Sequence, residues 1–600
     1  MTRVGSKRGR LGVLLFAVGV LAVRVGAAGA ADAPMFTGRV ADAAGKPIAG
    51  AMITLESAEM VPATVTVFSD DAGAYAMPAP RRAAPAGQSS LTCTKLGYEP
   101  IRNPAAPAAG ASGADFTLKP TDDVARQVPA SAWLQDLPDT QARYRTVLLC
   151  AACHQFPLDV HQATAQSFQS MTPEDREKAW HAVFDRMRTP QNFAIFPEDS
   201  AAAKLPPEVV GQMAYTILTR EDEAAIAPFL AQHFPLRFDE FPRSKLQPGA
   251  PLGAGKGTVI EEYQLPIGSH VREVAFTTGS PYLWGADLMK NRMLRLDLKD
   301  GSQKWFPFPA QGATGPHTIA GDAEGNLWVS AQENDMVAKF DPREERWTRV
   351  YRFSPMSTVH DIALNSRGEV AFDRSGNLWF TLMNKNELGR LNAETGETAE
   401  FALPVPEGTD PTQALYTTAV YGAVMTSDRR TVWFSQLNGS LGAFDTETSK
   451  VVTNIPFPRG TGPRRMAVDD GDVLYVPLTG AGRLLVYDAK QKKELGTYDL
   501  PDRNSYPYLA TWDRQRKVVW IGTSNNNRLY HFDPSTKRFR EFPLPRDRAY
   551  LRRLVIVPAT GDVWTSYAHF PVDKGPSMAV VLRPGGTDSL PKDSVAGVAK

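Results

Sequence analysis

Cysteine, excess charge and long apolar runs are all scarce in this chain of 600 residues. Three cysteines are too few for a disulfide framework, so the domains must rely on hydrophobic cores, which a hydrophobic content of 43% supports. The 66 basic and 65 acidic residues leave a net charge of +1, and this balance argues against nucleic-acid binding. The apolar run Leu11 to Val23 has 13 residues, which is too short to span a bilayer.

The first 30 residues have the layout of a cleaved export signal. Four basic residues precede the apolar run, and Ala28-Gly29-Ala30 offers a cleavage site of small residues. Arg24 ends the run, so a retained membrane anchor is disfavoured. The sequence therefore predicts a signal peptide over residues 1–30 and a mature periplasmic protein without a membrane span.

Two of the three cysteines stand in one motif, C-A-A-C-H at residues 150–154. This spacing indicates c-type haem attachment, because two thiols on one helical turn can add to the vinyl groups of haem and the next imidazole can bind the iron. A zinc site would need a second cysteine pair, and a thioredoxin-like redox pair would need a surrounding βαβ pattern. We therefore predict covalent haem c held by Cys150, Cys153 and His154. Cys93 has no partner in the chain and is expected to be a buried, inert thiol.

Residues 31–120 alternate apolar and polar residues between turn signals, which predicts short strands in a small β-sandwich. The segments that carry the pattern are 36–40, 44–47, 51–55, 71–75 and 95–98. They resemble the carboxypeptidase regulatory-like domain, whose pattern runs G-x-V, G-x-P, A-x-V-x-L, D-x-G-x-Y and G-Y. The resemblance implies a transthyretin-like sandwich with a structural or docking role and no chemistry of its own.

Residues 121–245 change to helical patterns, and we predict an α-helical cytochrome c domain there. The predicted helices are Arg143–Cys150, Pro173–Met187, Pro207–Leu218 and Glu221–His233. The stretch 179–187 resembles the W-x-x-x-x-x-R-M helix of small cytochrome c domains, and the resemblance implies that Met187 is the sixth iron ligand. The alternatives for that ligand are Met171, Met213 and His181.

Residues 255–586 contain an internal repeat, and residues 587–600 remain as a tail. An apolar residue followed by an aromatic one recurs seven times, in the pairs 283–284, 327–328, 378–379, 432–433, 474–475, 519–520 and 563–564. Units of this length hold four short strands each, which predicts a seven-bladed β-propeller. The phrase that closes these units also occurs at residues 263–266, before the first pair, and predicts that an N-terminal strand completes the last blade.

The propeller repeat carries P-H-T-I-A and then G-N-L-W-V-S in residues 316–330, and H-D-I-A and then G-N-L-W-F-T in residues 360–381. These phrases resemble the repeat of the virginiamycin B lyase (streptogramin lyase) family. The resemblance implies that His317 acts as a base beside a bound magnesium ion. The lyase glutamate three residues after the aromatic does not carry over to this chain, in which Glu333 is offset from that position.

Residues that enter the innermost strand of each blade face the channel of a propeller, so we expect one polar funnel. Its candidate members are His270, Arg272, His317, His360, Tyr421, Arg464, Tyr508 and Arg552. Clustered histidines suit metal binding or proton transfer, which makes His317, His360 and His270, together with Arg464, the candidate catalytic residues. The alternative is that each histidine is structural and hydrogen-bonds the backbone of a neighbouring blade.

Two functions follow from these features. In the first, the propeller binds or oxidises a small organic substrate, and the haem passes electrons to a periplasmic electron-carrier protein. In the second, the propeller is a streptogramin lyase-like C–O lyase or a docking module, and the haem has a sensing, scaffold or electron-transfer role. The first is preferred, because an attached haem has no evident use without electron flow.

Overall fold

The computed structural model describes residues 34–103, 105–107, 110, 112–152, 154–187, 219–246, 257–278, 280–310, 315–405, 418–568 and 577–585. These residues form an N-terminal β-sandwich-like unit, a helical segment and a β-propeller. The chain is therefore multidomain, as the changes in sequence pattern predict.

The N-terminal unit consists of seven short strands. They are β1 (Phe36–Asp42), β2 (Met52–Glu56), β3 (Thr64–Phe68), β4 (Ala74–Met77), β5 (Ser90–Thr94), β6 (Ile101–Asn103) and β7 (Phe116–Leu118). β1 lies between β4 and β7 in one sheet, and β3, β2, β5 and β6 are neighbours in the other. Burial alternates along β1 and β2, so each sheet turns one face to a shared apolar core.

Four α-helices lie between the sandwich and the propeller in the part of the chain that the structure describes. They are α1 (Gln141–Cys150), α2 (Asp159–Gln166), α3 (Pro173–Met187) and α4 (Arg220–His233), and single 3-10 turns occur at Ala130–Leu134, Arg243–Lys245 and Met383–Lys385. Thr140 and Thr219 cap α1 and α4 by accepting backbone N–H groups of the first turn.

The predicted helix at 173–187 is present, and the predicted helix at 207–218 lies outside the described residues. α2 is absent from the predicted helices, because only Ala165 of its eight residues is buried and its apolar pattern is weak. These helices do not establish a cytochrome c fold, which stays a prediction.

The propeller is built from antiparallel four-stranded sheets whose strands pair in chain order. The first three sheets are β9–β12 (Val271–Ala275, Tyr282–Asp287, Arg292–Asp297, Gln303–Pro307), β13–β16 (Pro316–Gly321, Leu327–Ala331, Met336–Asp341, Arg346–Arg352) and β17–β20 (Val359–Ile362, Asn377–Leu382, Glu387–Asn392, Thr398–Ala402). The next three are β21–β24 (Val420–Met425, Thr431–Gln436, Ser440–Asp445, Lys450–Pro456), β25–β28 (Ala467–Val468, Val473–Leu478, Arg483–Asp488, Lys493–Asp499) and β29–β32 (Pro507–Asp513, Val518–Thr523, Arg528–Asp533, Arg538–Pro543). First strands such as β13 and β21 are buried throughout, whereas fourth strands such as β16 and β24 are largely exposed, so the first strands line the centre.

In several blades the repeated tryptophan is tied to a nearby carboxylate. Trp328 donates its indole N–H to Asp322 at 2.8 Å, and Trp379 does the same to Asp373 at 2.9 Å. Each carboxylate also accepts a hydrogen bond from the asparagine of the G-N-L-W phrase. The phrase therefore forms the same buried hydrogen-bond network, here called the clasp, in both blades.

A seventh four-stranded unit closes the ring with a strand from the N-terminal side, as predicted. Its strands are β33 (Val555–Ile556), β34 (Val563–Ser566), β35 (Met578–Arg583) and β8 (Val259–Gln264). The outer edge of β8 then pairs with β3 of the sandwich, so the two units share one eight-stranded sheet. This edge-to-edge addition was not predicted, because backbone pairing of edge strands leaves no local sequence pattern.

Glu262 on β8 holds this junction together. Its buried carboxylate accepts hydrogen bonds from Thr64 at 2.8 Å, Arg546 at 2.7 Å and Tyr567 at 2.8 Å. Thr64 belongs to the sandwich and the other two residues belong to the propeller. One carboxylate therefore ties three donors from two domains.

Replacing Glu262 with alanine should lower the free energy of unfolding by about 2–4 kcal/mol, because the Thr64 and Tyr567 hydroxyls lose a buried acceptor and the partly exposed Arg546 keeps, among the described residues, only Glu56 as an ion-pair partner. The urea midpoint measures this loss. Glu262→Gln keeps one acceptor oxygen and the side-chain volume, so its loss should be clearly smaller. Equal midpoints for Glu262→Ala and the unaltered protein would contradict the assignment.

Candidate functional site

The helical segment lies on the propeller at the end of the channel where the inner strands begin. α1 approaches the loop before β25 so closely that a Cβ at Gly460 would lie 2.9 Å from the backbone nitrogen of Arg145. The φ of Gly460 is 88°, so glycine serves both the backbone conformation and the close contact. The haem motif, which begins at the last residue of α1, is thereby placed over the channel.

Propeller side chains bind the backbone of the motif directly. Tyr506 donates to the carbonyl of Leu148 at 3.1 Å, Tyr550 donates to that of Ala151, and Arg552 donates to that of Ala152 at 2.7 Å. Carbonyl groups at a helix C-terminus lack intrahelical donors, and the propeller supplies them here. The positive charge of Arg552 is also favourable at this end of α1.

A second set of contacts holds the segment after the motif. Asn525 accepts the backbone N–H of Phe156 at 2.7 Å and donates to the carbonyl of the same residue at 2.9 Å. Gln155 donates to the side chain of Asn527 at 2.7 Å. The propeller thus holds the chain on both sides of His154.

The hydrogen bond of His154 determines which of its nitrogens can bind a metal. Nδ1 lies 2.9 Å from the carbonyl oxygen of Gln155, and a carbonyl only accepts, so Nδ1 carries the hydrogen. Burial lowers the pKa of His154, so the ring is neutral and Nε2 keeps a free lone pair. An oriented, neutral imidazole of this kind suits iron ligation.

His161 was missed by sequence reasoning, although it follows His154 by seven residues. The two rings lie 4.6 Å apart, and Nδ1 of His161 accepts the backbone N–H of Leu158 at 3.0 Å. Burial, together with the neighbouring His154, lowers the pKa of His161 to about 3. His161 is therefore neutral with its hydrogen on Nε2, which makes it a hydrogen-bond donor beside the motif instead of a ligand.

Aromatic side chains surround the motif and fit a flat apolar group such as haem. Phe156 stacks on Phe234 with ring centres 5.2 Å apart, and Trp180 packs edge-on against Phe234 at 5.5 Å. Trp180 is 2% exposed, and among the described residues its indole N–H has no acceptor. A buried donor without an acceptor points to a polar group of a ligand, so the donor set fits haem c, with Cys153 outside the described residues.

Among the described residues, no contact joins a candidate for the sixth ligand to the motif. Met187 is 39% exposed at the end of α3, and Met171 is 36% exposed. His181 hydrogen-bonds the carboxylate of Glu223, and Met213 lies outside the described residues. Met187 as the sixth ligand stays a prediction.

Below the motif, most of the predicted funnel residues form one connected cluster. His317 and His360 have ring centres 4.4 Å apart, His360 and Tyr421 4.1 Å, and the Tyr421 and Tyr508 hydroxyls share a hydrogen bond. Arg272 joins both ends by donating to His317 at 2.6 Å and to Tyr508 at 3.1 Å. The sequence placed these residues correctly, because strand order in a repeat fixes which positions face the axis.

The expected open funnel mouth is not found. His317 is 0% exposed and His360 is 1% exposed, because the motif segment covers this end of the channel. Nδ1 of His317 donates to the carbonyl of His360 at 3.1 Å, and Nδ1 of His360 donates to that of Tyr421 at 3.1 Å. These are the cross-blade backbone bonds of the structural alternative, and Arg272 also occupies the remaining nitrogen of His317.

His270 is buried before β9, where its backbone N–H donates to the carboxylate of Asp287 at 2.9 Å. The contacts that build the cluster run through Arg272, which lies on β9 itself. For magnesium, the described residues contain no group of three or more histidine, cysteine or acidic side chains that could hold a metal ion.

The cluster carries an unusual charge. Arg272, Arg464 and Arg552 are all buried, and within the described ranges none of them has a carboxylate within 4 Å. Arg464 lies over the ring of Tyr508 at 4.5 Å, and Arg552 lies over the same ring at 4.2 Å. Three buried cations around one phenol need a negative charge nearby.

The arginines favour a negative charge on Tyr508. Burial raises the pKa of Tyr508, but the opposing effect of the surrounding arginines, Arg552 first, is larger and lowers it to about 7. The pKa of its hydrogen-bond partner Tyr421 is raised, by burial and then by Tyr508. The pair therefore holds one proton between two oxygens near neutral pH.

Two segments match known protein families. Residues 35–119 match the carboxypeptidase regulatory-like domain, and residues 273–516 match the SMP-30/gluconolactonase/LRE-like region. The propeller therefore contains an SMP-30/gluconolactonase/LRE-like region. No curated protein matches the chain.

Solved structures similar to this chain are also propellers. Virginiamycin B lyase from Staphylococcus aureus is 17% identical, with a TM-score of 0.43 over 54% of this chain and 99% of the lyase. A streptogramin B lyase is 19% identical, with a TM-score of 0.45 over 54% of this chain and 98% of that one. The Cps50 (Swd1) β-propeller domain of Myceliophteria thermophila is 14% identical, with a TM-score of 0.40 over 52% and 96%. Likeness at these TM-scores carries no argument about this chain.

Replacing Tyr508 with phenylalanine should make stability depend differently on pH. The pKa of Tyr508 is about 7 in the folded protein and 10.0 ordinarily, so ionisation stabilises the fold increasingly as pH rises from 7 to 10. The stability difference between the unaltered protein and Tyr508→Phe should therefore grow by up to about 1.4 kcal/mol per pH unit in this window. Urea unfolding at pH 7, 8 and 9 measures it.

Tyr506→Phe is the matched control. Burial raises the pKa of Tyr506 well above its ordinary value, so that residue stays neutral over the same window. Its stability difference should be flat with pH. A flat difference for Tyr508→Phe as well would show that Tyr508 is not ionised.

Proposed function

We propose that this chain is a covalent haem c protein that transfers electrons, with Cys150, Cys153 and His154 holding the haem over the propeller channel. The observation that carries the proposal is the motif together with His154, whose Nδ1–H is bound to Gln155 and whose Nε2 is free to ligate. The orphaned indole of Trp180 and the aromatic surroundings support it further. The haem supplies one-electron redox chemistry when bound.

The propeller residues act on the attachment segment in two ways. Tyr506, Tyr550 and Arg552 hold its backbone, which keeps His154 oriented. Arg552 also places positive charge beside the segment, and positive charge near a redox centre favours the reduced form. Propeller contacts thus support a raised reduction potential.

The cysteine environment bears on assembly. Burial raises the pKa of the Cys150 thiol to about 12, and a thiol that does not ionise is a poor nucleophile. Haem attachment would therefore precede docking of the segment on the propeller, as suits a protein exported unfolded and completed in the periplasm.

A small organic substrate and a periplasmic electron carrier complete this proposal. Among the described residues no helix is long and apolar enough to cross a membrane.

Protein matured in the periplasm with the c-type haem machinery should keep its haem through denaturation and acid–acetone extraction, because thioether bonds resist both. The variant with Cys150→Ala and Cys153→Ala should retain none. Cys93→Ala is the control and should retain all of it, since Cys93 is buried in the sandwich core. Haem that extracts from the unaltered protein, or protein without haem, would overturn the proposal.

A lyase is the second candidate, favoured by the contact between His317 and His360 in a propeller of the SMP-30/gluconolactonase/LRE-like type. For His317 to act as a base, Arg272 must stop donating its hydrogen bond to Nε2 of His317. A substrate must also reach the imidazole ring, which is fully buried. The family match of the propeller supports the lyase candidate, whereas the haem proposal rests on the C-A-A-C-H motif and the orientation of His154.

A direct assay separates the two candidates. One related structure contains quinupristin, so incubation of this protein with quinupristin and magnesium tests for lyase activity. We expect no turnover by the unaltered protein, because both nitrogens of His317 are already bonded. Turnover that falls about 100-fold or more in His317→Ala, with folding intact, would establish the lyase instead.

A further inference from the structure

The channel has a second polar site at the opposite end from the haem motif. A cavity of about 80 Å³ lies between the later halves of the inner strands and the loop after β17. Asp361, Arg465, Arg553 and Thr511 line it together with apolar residues such as Leu364 and Val424. By the space that one water needs, the cavity holds roughly five to eight non-hydrogen atoms.

Arg553 is the feature of this cavity that calls for a ligand. It is 9% exposed, and its Nε has no hydrogen-bond partner among the described residues. No carboxylate of the described chain lies within 4 Å of its guanidinium, although burial of an unpaired cation is costly. An anion in the cavity would supply the missing partner.

The neighbouring carboxylates Glu273 and Asp361 attract Arg553, but neither lies within 4 Å of its guanidinium. Glu273 forms an ion pair with Arg465, whose other nitrogen donates to Thr318 at 2.8 Å. Asp361 lies 3.5 Å from the same Arg465. Both carboxylates therefore face Arg465, and burial raises the pKa of Asp361, with Arg465 opposing the shift.

The charges then decide the class of ligand. Glu273 and Asp361 both pair with Arg465, whereas the buried Nε of Arg553 has no partner among the described residues. The cavity also has aliphatic walls, which a bare inorganic ion would not use. We propose that this end of the channel binds a short-chain aliphatic carboxylate, paired through its carboxylate with Arg553 and in contact with Leu364 and Val424 through its alkyl group.

Calorimetric titration of the full chain with propionate tests this site, with chloride and phosphate titrated at the same ionic strength. Saturable binding of propionate alone is expected. Arg553→Gln should weaken it at least tenfold, and if that variant does not fold, Arg553→Lys should weaken it by a smaller factor that is still measurable. Arg514→Gln is the control on the neighbouring blade, because Arg514 pairs with Asp470 at the surface, and it should bind as the unaltered protein does.

Asp361→Asn gives an independent check, because asparagine keeps a donor and cannot carry charge. Binding as tight as in the unaltered protein, or tighter, is expected. Phosphate or chloride that competes equally with propionate, full binding by Arg553→Gln, or a tenfold loss in Asp361→Asn would each overturn the proposal. The titration uses the variant with Cys150→Ala and Cys153→Ala in parallel, so its outcome is independent of the haem.

Discussion

Arg552 donates a hydrogen bond to the carbonyl of Ala152, and much of the site depends on this contact. The same guanidinium lies over the rings of Tyr550 and Tyr508, so one side chain joins the haem motif to the residues that fill the channel. Because the helical segment covers the channel here, the histidines, phenols and arginines below it lie in a region of low dielectric. Their charges therefore interact strongly with one another.

Charge is distributed in layers along the channel. The upper layer holds three arginines whose compensation comes from a phenol, the middle layer holds the ion pair of Arg465 and Glu273, and the lower end holds Arg553. Buried cations without carboxylates are expensive unless something else meets their charge. The two ends of the channel differ in what lies near these cations. At one end the arginines favour ionisation of Tyr508, and at the other end Arg553 faces a cavity.

The propeller was the part most open to sequence reasoning. The recurrence of the G-N-L-W phrase reflects a local requirement, the clasp between Trp328 and Asp322, and a local requirement repeats visibly. Placement of His317, His360, Tyr421 and Tyr508 near one axis followed from the same periodicity. The roles of the histidines did not follow, because hydrogen bonds to carbonyl groups of the next blade involve backbone atoms, which every sequence has.

By itself, the sequence determined the repeat with its closing strand and the sandwich pattern, and it predicts haem attachment at the C-A-A-C-H motif, because each of these depends on residues that are close in the chain or recur at fixed intervals. Only the tertiary structure decided that β3 extends the last blade, that α1 and the motif cover the channel, and that His161 lies beside His154. The first two features depend on edge-strand pairing, on glycine-permitted close approach at Gly460 and on contacts between residues hundreds of positions apart, none of which leaves a periodic trace in the chain. The third depends on how the backbone folds between two nearby histidines, which their spacing does not specify.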